Sequence, residues 1–508
     1  MERPKFDPAR EREFMARGWW RDDDTLACWL ARHARERTGA AAVSLAGTVL
    51  TWETLHDRVL RVAEGLKKHG VRAGDVVALQ LPNIPEFLIA HLAIGRLGAV
   101  MCTLHMPYRA AEIETMLRHS GARAAFCTPK SAEVFRALLE TVIETGPEFG
   151  ELERSPRLAQ DHPQPDARDA FLLLYTSGTT AEPKGVAHAY RTMLGNSRLG
   201  SAEHRLGAGD RILCATPLSH LYGLYSLHCA WSVGACTVLL PAFTPPDLAA
   251  TVEKEKPSAL WTGPAHVAAC RAAGLLDKHD WSSLRLAIVS GSLASPELIN
   301  FFAAKVPGCA VTQLWGMTEI QAGLYTRPGD PPVISATSAG RPSPGTEIRL
   351  GEDGELQVRG PLVFSGYLGN PAATEKAFTH DGWFRSGDLA EKRAGDFYAI
   401  TGRSKDIINR GGVKFNPADV EMLLDSHQKI LQSALVPMPD PILGEKACAF
   451  VTLKPGAAPP SLEELVEFLL QKKIAKNKLP ERLVVMAEMP LTPTRKIIKG
   501  RLRVPGAD

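Results

Sequence analysis

The sequence predicts an α/β fold: a large N-terminal domain of parallel sheets flanked by helices plus a small β sub-unit, followed by a small α+β C-terminal domain. Three observations carry this. Strand-like apolar runs alternate with amphipathic helical patterns over residues 51–104 and again through 211–300, the habit of a parallel sheet covered by helices on both faces. From about residue 340 the texture changes to short strands with Gly-rich turns, "TEIRLGEDGELQVRG" and then "GDFYAITG", which predicts a small antiparallel unit. After 405 a separate segment mixes short strands with a helix.

Taken in order, residues 51–70 read as a helix, with Leu55, Val59, Val62 and Leu66 on one face and Gly70 placed to end it. "DVVALQL" (75–81) reads as a buried strand, 85–97 as a helix and "GAVMCTL" (98–104) as the next strand. Residues 144–168, polar and rich in Pro, Glu and Asp, are expected to be a surface connection. Near the C-terminus Ser461 precedes Leu462, Leu465, Val466, Leu469 and Leu470 at helical spacing, and Ser461 with Glu464 matches a capping box. There is no internal repeat and no low-complexity tract.

Composition narrows the function classes. At ~150 residues per domain, 508 residues suggest about three compact units. Hydrophobic residues make up 45% and charged residues 23%, ordinary for a globular chain. A net charge of +3, from 59 basic and 56 acidic residues, gives no electrostatic case for nucleic acid or an anionic membrane. The nine cysteines include no Cys-x-x-Cys pair and mostly sit in apolar company. They read as reduced core residues, not as a disulfide framework or a metal site. "MERPKFDPAREREF" is charged and lacks the apolar stretch of a secretory signal. The longest apolar run, 87–104, is interrupted by His91 and Arg96 and falls short of a membrane span. A cytoplasmic location is expected.

One stretch carries chemistry. "YTSGTTAEPKGV" (175–186) follows the apolar run "FLLL" and packs five hydroxyls, two glycines and a lysine into twelve residues. Glycine lets backbone N–H groups converge on an anion, hydroxyls add donors and Lys184 adds a positive charge, so the loop is expected to hold phosphate. It is not a Walker loop, and Glu182-Pro183 disfavours a helix starting directly at the glycines.

This loop resembles the phosphate-binding signature of the acyl-adenylate-forming superfamily, which includes acyl- and aryl-CoA ligases, carrier-protein-loading adenylation domains and beetle luciferases. "WGMTE" (315–319), "GELQVRGP" (354–361), "GWFRSGDL" (382–389), "GRSKDIINRGGVKFNPADVE" (402–421) and "PLTPTRKI" (490–497) resemble its further motifs, in order. The resemblance implies an N-terminal domain over 1–404 and a mobile C-terminal domain over 405–508. It also implies activation of a carboxylate with ATP as acyl-AMP, with release of pyrophosphate, followed by attack of a thiol.

The same resemblance assigns residues. Thr176, Ser177, Gly178, Thr179, Thr180 and Lys184 would cradle the β- and γ-phosphates. Glu319 would ligate Mg²⁺, a hard cation suited to one carboxylate plus phosphates and waters, and Thr318 would touch the α-phosphate. Asp388 would accept from both ribose hydroxyls, with Arg403 beside it. Lys496 would bridge the substrate carboxylate and the α-phosphate. Lys405 falls at the hinge position, and Gly411 and Gly412 would let the pantetheine arm of CoA pass. His220, in "PLSHLYG", would close on the acyl site. The sequence departs from the family pattern at Ala181, Tyr190 and Arg495, the last standing where glycine usually precedes the lysine.

The acyl pocket is expected from Leu221, Tyr222 and Gly223, from Ser290, Gly291 and Ser292, and from the stretch Ile320 to Gly323. These are apolar or small, with no cation for a second carboxylate, which favours a neutral aromatic, alicyclic or medium-chain monocarboxylic acid. The chain is expected to stand alone without a carrier-protein segment, which favours CoA as acceptor. The alternative is an enzyme that loads a separate carrier protein. Small-molecule acid, ATP and CoA are thus the expected partners, with a homodimer as the assembly to test.

Overall fold

The computed structural model describes residues 1–176, 184–492 and 495–505. Two mainly parallel sheets form the large domain. In the first, strands Thr141–Glu144, Ala122–Cys127, Val76–Gln80, Val100–Thr103 and Ala170–Tyr175 lie side by side and parallel, and Gly185–Ala189 closes the edge antiparallel. In the second, Ala310–Met317, Leu286–Val289, Ala259–Thr262, Arg211–Cys214, Cys236–Val238 and Ala41–Leu45 run parallel. Antiparallel strands flank it: Gln321–Tyr325 and Arg341–Pro342 at one edge, Thr48–Thr51 at the other.

The helices follow from their patterns. Helix Trp52–Lys68 starts where the Thr51 hydroxyl accepts the Thr54 N–H, and its stripe of Leu55, Val59, Val62 and Leu66 is fully buried. Helix Leu221–Val233, "LYGLYSLHCAWSV", is apolar on nearly all sides and is buried accordingly. With helix Tyr190–Glu203 it contributes to one core cluster that contains residues from both sheets. The nine cysteines are all free, and only Cys28 is not buried. Among the described residues, no helix is long and apolar enough to cross a membrane.

The expected surface connection at 144–168 is partly a helix, Pro147–Glu153. Phe149 and Leu152 are buried, and Leu152 lies against Gly65, where a β-carbon would overlap it. Seven residues with two apolar anchors are too few for a periodic signal, and tertiary packing makes the helix.

The antiparallel unit predicted after 340 is a four-stranded sheet of Glu347–Leu350, Glu355–Arg359, Phe384–Lys392 and Tyr398–Arg403. A short turn, Ser404–Asp406, then leads into the small C-terminal sheet. Its strands are Ile408–Arg410, Val413–Phe415, Ile430–Asp440, Gly444–Leu453 and Arg482–Val485, covered by helices Ala418–Asp425 and Leu462–Gln471. Ser461 caps the latter helix by accepting the Glu464 N–H at 3.2 Å. The reciprocal half of the expected capping box is replaced, because Lys429 draws the Glu464 carboxylate away at 2.8 Å.

Candidate active site

Strands Ala170–Tyr175 and Gly185–Ala189 pair with Tyr175 opposite Gly185, and Thr176 N–H donates to the Lys184 carbonyl at 3.2 Å. The phosphate-type loop therefore hangs from two fixed strand ends, with Thr176 and Lys184 at its neck. Ser177, Gly178, Thr179 and Thr180 lie outside the described residues. The Lys184 ammonium sits 5.2 Å from the centroid of the Tyr367 ring, and the Tyr367 hydroxyl donates to Glu319 Oε1 at 2.8 Å.

Glu319 and Thr318 follow directly on strand Ala310–Met317. Burial raises the Glu319 carboxyl above its ordinary range, opposed by the Tyr367 hydrogen bond and by the charges of Lys184 and Arg403. A cation would relieve that burial. The His188 Nε2–H donates to the Thr318 carbonyl at 2.8 Å. Burial holds His188 down to about 4, so this ring is a neutral clamp on the Thr318 backbone.

Asp388 and Arg403 face each other across adjacent strands. Arg403 Nε–H donates to one Asp388 oxygen at 2.7 Å, and Trp315 Nε1–H donates to the other at 2.7 Å. Each oxygen keeps lone-pair capacity for a further donor such as a sugar hydroxyl.

His220 is the N-cap of helix Leu221–Val233. Its Nδ1 accepts the Tyr222 N–H at 3.2 Å, so the neutral ring carries its proton on Nε2. It stacks on His105 at a centroid distance of 6.2 Å, and His105 Nδ1 is 2.9 Å from Ser219 Oγ. Burial, and then the nearby Lys496 and His105, hold His220 well below its ordinary range.

Lys496 arrives from the C-terminal segment. Its backbone N–H donates to Thr492 Oγ1 at 3.0 Å. Burial first, then Arg403, lower its ammonium to about 8, with Asp388 opposing. The preceding Arg495 has φ +64° and lays its guanidinium 5.3 Å from the centroid of Phe243. Lys496 borders two adjoining cavities, of 1070 and 1520 Å³. The smaller also holds Thr176, Lys184, His220, Thr318, Glu319 and Tyr367, so five chain segments converge on one space.

The sequence matches the family described as AMP-binding enzyme over residues 30–368, and the AMP-binding enzyme C-terminal domain over 419–496. The chain belongs to the AMP-binding enzyme family. It is 34% identical over 494 residues to a feruloyl-CoA synthase of Amycolatopsis sp, covering 94% of this chain and 98% of that protein. A salicyl-AMP ligase / salicyl-S-ArCP synthetase of Mycobacterium tuberculosis is 32% identical, over 97% of this chain and 93% of that one. An anthranilate CoA ligase solved in complex with anthranoyl-AMP superposes with a TM-score of 0.87 at 25% identity, over 95% of this chain and 96% of that one. The protein is an AMP-forming acid–thiol ligase.

In this AMP-binding enzyme the predicted acyl residues divide. Leu221, Tyr222, Ser290 and Gly291 line the smaller cavity, and Ser292 lines the larger one. Gly223, Ile320 and Gly323 line neither. A β-carbon at Gly223 would overlap the Pro217 carbonyl, so that glycine serves a close helix–loop approach. Ile320 is buried in the core beside Trp315 and Leu324, and Gly323 fits against the Trp315 ring. Lys405 borders both cavities. Gly411 and Gly412 do not: they form the exposed turn between Ile408–Arg410 and Val413–Phe415, at φ +60° and +86°. The left-handed turn itself explains glycine there.

Sequence reasoning passed over Trp315, Tyr367, His188 and His105. Trp315 stands in the quoted "WGMTE" but was not expected to hold the Asp388 carboxylate. Tyr367 and His105 lie outside every quoted motif, and only pairing across 48 residues brings Tyr367 to Glu319. Among the described residues, no group of three or more His, Cys, Asp or Glu is placed to hold a metal alone. Glu319 fits a Mg²⁺ whose other ligands are phosphate oxygens and water.

Proposed function

We propose that the protein is an ATP-dependent carboxylic acid–CoA ligase acting on a neutral monocarboxylic acid. The observation that carries this is the placement of Lys496, from the C-terminal segment, in the same cavity as Lys184, Thr318, Glu319 and His220. A carboxylate and the α-phosphate of ATP are both anionic, and their reaction needs a cation between them.

In the first half-reaction a carboxylate oxygen attacks the α-phosphorus and pyrophosphate leaves. Lys496 neutralises the developing charge, while Thr176 and Lys184 hold the departing phosphates with the rest of the loop. Glu319 would hold Mg²⁺, which supplies positive charge at the phosphates. Asp388, braced by Trp315 and Arg403, receives the ribose hydroxyls. His220, neutral and fixed by its cap, keeps the acyl carbon's side of the cavity closed to water. In the second half-reaction the thiolate sulfur of CoA attacks the acyl carbon and AMP leaves. For this the C-terminal domain, 405–508, turns about Lys405, withdrawing Lys496 and bringing another of its faces to the site. Gly411 and Gly412, remote from the cavity in the present arrangement, are then free to approach the pantetheine arm.

A carrier-protein thiol is the second reading, favoured by the similarity to the salicyl-AMP ligase / salicyl-S-ArCP synthetase. The deciding experiment is acid-dependent ATP–pyrophosphate exchange across benzoates, cyclohexane carboxylates and C4–C12 fatty acids, repeated as AMP release with and without CoA. Exchange with CoA-dependent AMP release supports the ligase. Exchange without it moves the acceptor to a carrier protein, and no exchange from folded protein refutes both.

A further inference from the structure

Gln321 is 3% exposed, and neither its Nε2 nor its Oε1 has a hydrogen-bond partner. A buried amide left unpaired forfeits the hydrogen bonds it had in water, and such groups in a native fold call for an explanation. Its backbone is also unusual. Gln321 has φ +56°, a left-handed conformation that a non-glycine residue adopts at a cost.

The surroundings enforce this conformation. Gln321 pairs with Met317 across a hairpin that carries a bulge at Trp315/Gly316, and the absent side chain of Gly316 makes room for the Gln321 carbonyl. Asn196 brackets the next residue, donating to the Ala322 carbonyl at 3.3 Å and accepting its N–H at 3.4 Å. Gln321 thereby lies among the residues that line the 1070 Å³ cavity that also contains Thr318, Glu319, His220 and Lys496. Tyr225 lines the same cavity and its hydroxyl is also unpaired, but that hydroxyl is turned against Gly200.

We infer that the acid carries a neutral hydroxyl group that pairs with the Gln321 side chain. This rests on the ligase reading above and deepens it. An amide offers one donor and one acceptor face, and a hydroxyl both accepts and donates, so one substituent can answer both. A hydrocarbon acid of the same shape leaves the amide unpaired. A second carboxylate is not answered by a neutral amide. Gln321 is thus a specificity residue that reads the acyl group and takes no part in the chemistry at phosphorus.

The test measures kcat/KM for acid-dependent pyrophosphate exchange with matched pairs: 4-hydroxybenzoate and benzoate, 4-hydroxycinnamate and cinnamate, 10-hydroxydecanoate and decanoate. The wild-type enzyme should prefer the hydroxylated member of at least one pair by about tenfold or more. Gln321→Leu should bring that ratio to about one or invert it, with KM for ATP unchanged. Gln321→Gly, which suits a positive φ, repeats the test where the leucine variant fails to fold. A wild type without preference in any pair, or a ratio that survives both substitutions, overturns the inference and leaves the ligase reading standing. Absence of exchange with every acid overturns both.

Discussion

Raising the pH should switch off acid activation at Lys496. Burial and the neighbouring Arg403 lower this ammonium to about 8, and Asp388 offsets them only in part. Lysine is charged below its pKa, and the charge is what the first half-reaction uses. About nine-tenths of the enzyme is therefore competent at pH 7, about half at pH 8 and about one-tenth at pH 9. The expected profile is a single alkaline limb, with exchange falling roughly tenfold from pH 7 to pH 9. Bound ATP adds negative charge and moves the limb upward in kcat, so the free-enzyme value is read from kcat/KM for ATP. Lys496→Arg keeps a positive charge across this range. Whatever rate it retains should lose the limb below pH 9.5. A wild-type limb centred above pH 10, or one that persists in Lys496→Arg, refutes the assignment of this group.

Lys496→Ala should lower acid-dependent exchange by about 10²-fold or more while sparing thioester formation from supplied acyl-AMP. Gly412→Leu should do the reverse, and equal loss of both half-reactions in either folded variant would rule out alternation about Lys405. Because Gly412 sits at φ +86°, leucine also strains the hairpin turn, so its unfolding curve is measured alongside. The contact between Arg495 and Phe243 should couple the C-terminal segment to the large domain by about 0.5–1 kcal/mol. A double-mutant cycle with Arg495→Ala and Phe243→Ala, read in exchange kcat/KM, should therefore show a coupling of roughly two- to fivefold, and additive losses would exclude the contact. Acid should destabilise the fold well above the usual carboxylate range. His91 and His204 are buried, with folded values near 3 against about 6.5 unfolded. The unfolded chain takes up protons first, so stability is full above pH 6.5 and falls steadily towards pH 3. Each ring should cost about 2 kcal/mol at pH 5. Urea midpoints from pH 8 to pH 4.5 measure this, and a flat profile contradicts it.

The parts of this molecule legible in the sequence are those where one residue's neighbours in the chain are also its neighbours in space. The stripe of helix Trp52–Lys68, the buried strand Val76–Gln80 and the loop beginning at Tyr175 each announce themselves within a dozen residues. What stayed hidden depends on distant pairing. Asp388 meets Arg403 by strand register, and Tyr367 reaches Glu319 across 48 residues of chain. Gly223, Ile320 and Gly323 are expected with their motif neighbours in the acyl pocket, but tight packing against Pro217, Trp315 and Leu324 keeps them out of either cavity.

Arg495 and Gln321 sharpen the point. Seven non-glycine residues have positive φ among those described: Ala46, Arg205, Lys256, Gln321, Asp396, Lys473 and Arg495. Five have a local reason. Ala46 lies in the turn joining two paired strands, Arg205, Lys256 and Lys473 end helices, and Asp396 belongs to a short turn. The other two border the active-site cavities. At Arg495 a left-handed backbone carries a side chain that reaches Phe243. At Gln321 the same conformation belongs to a cavity-lining residue whose buried amide is unpaired. Strain of this kind persists where the surrounding structure over-determines it. In both places the departure from the local rule borders a cavity that Lys496 also lines, so the strain sits at the candidate site and not in the scaffold around it.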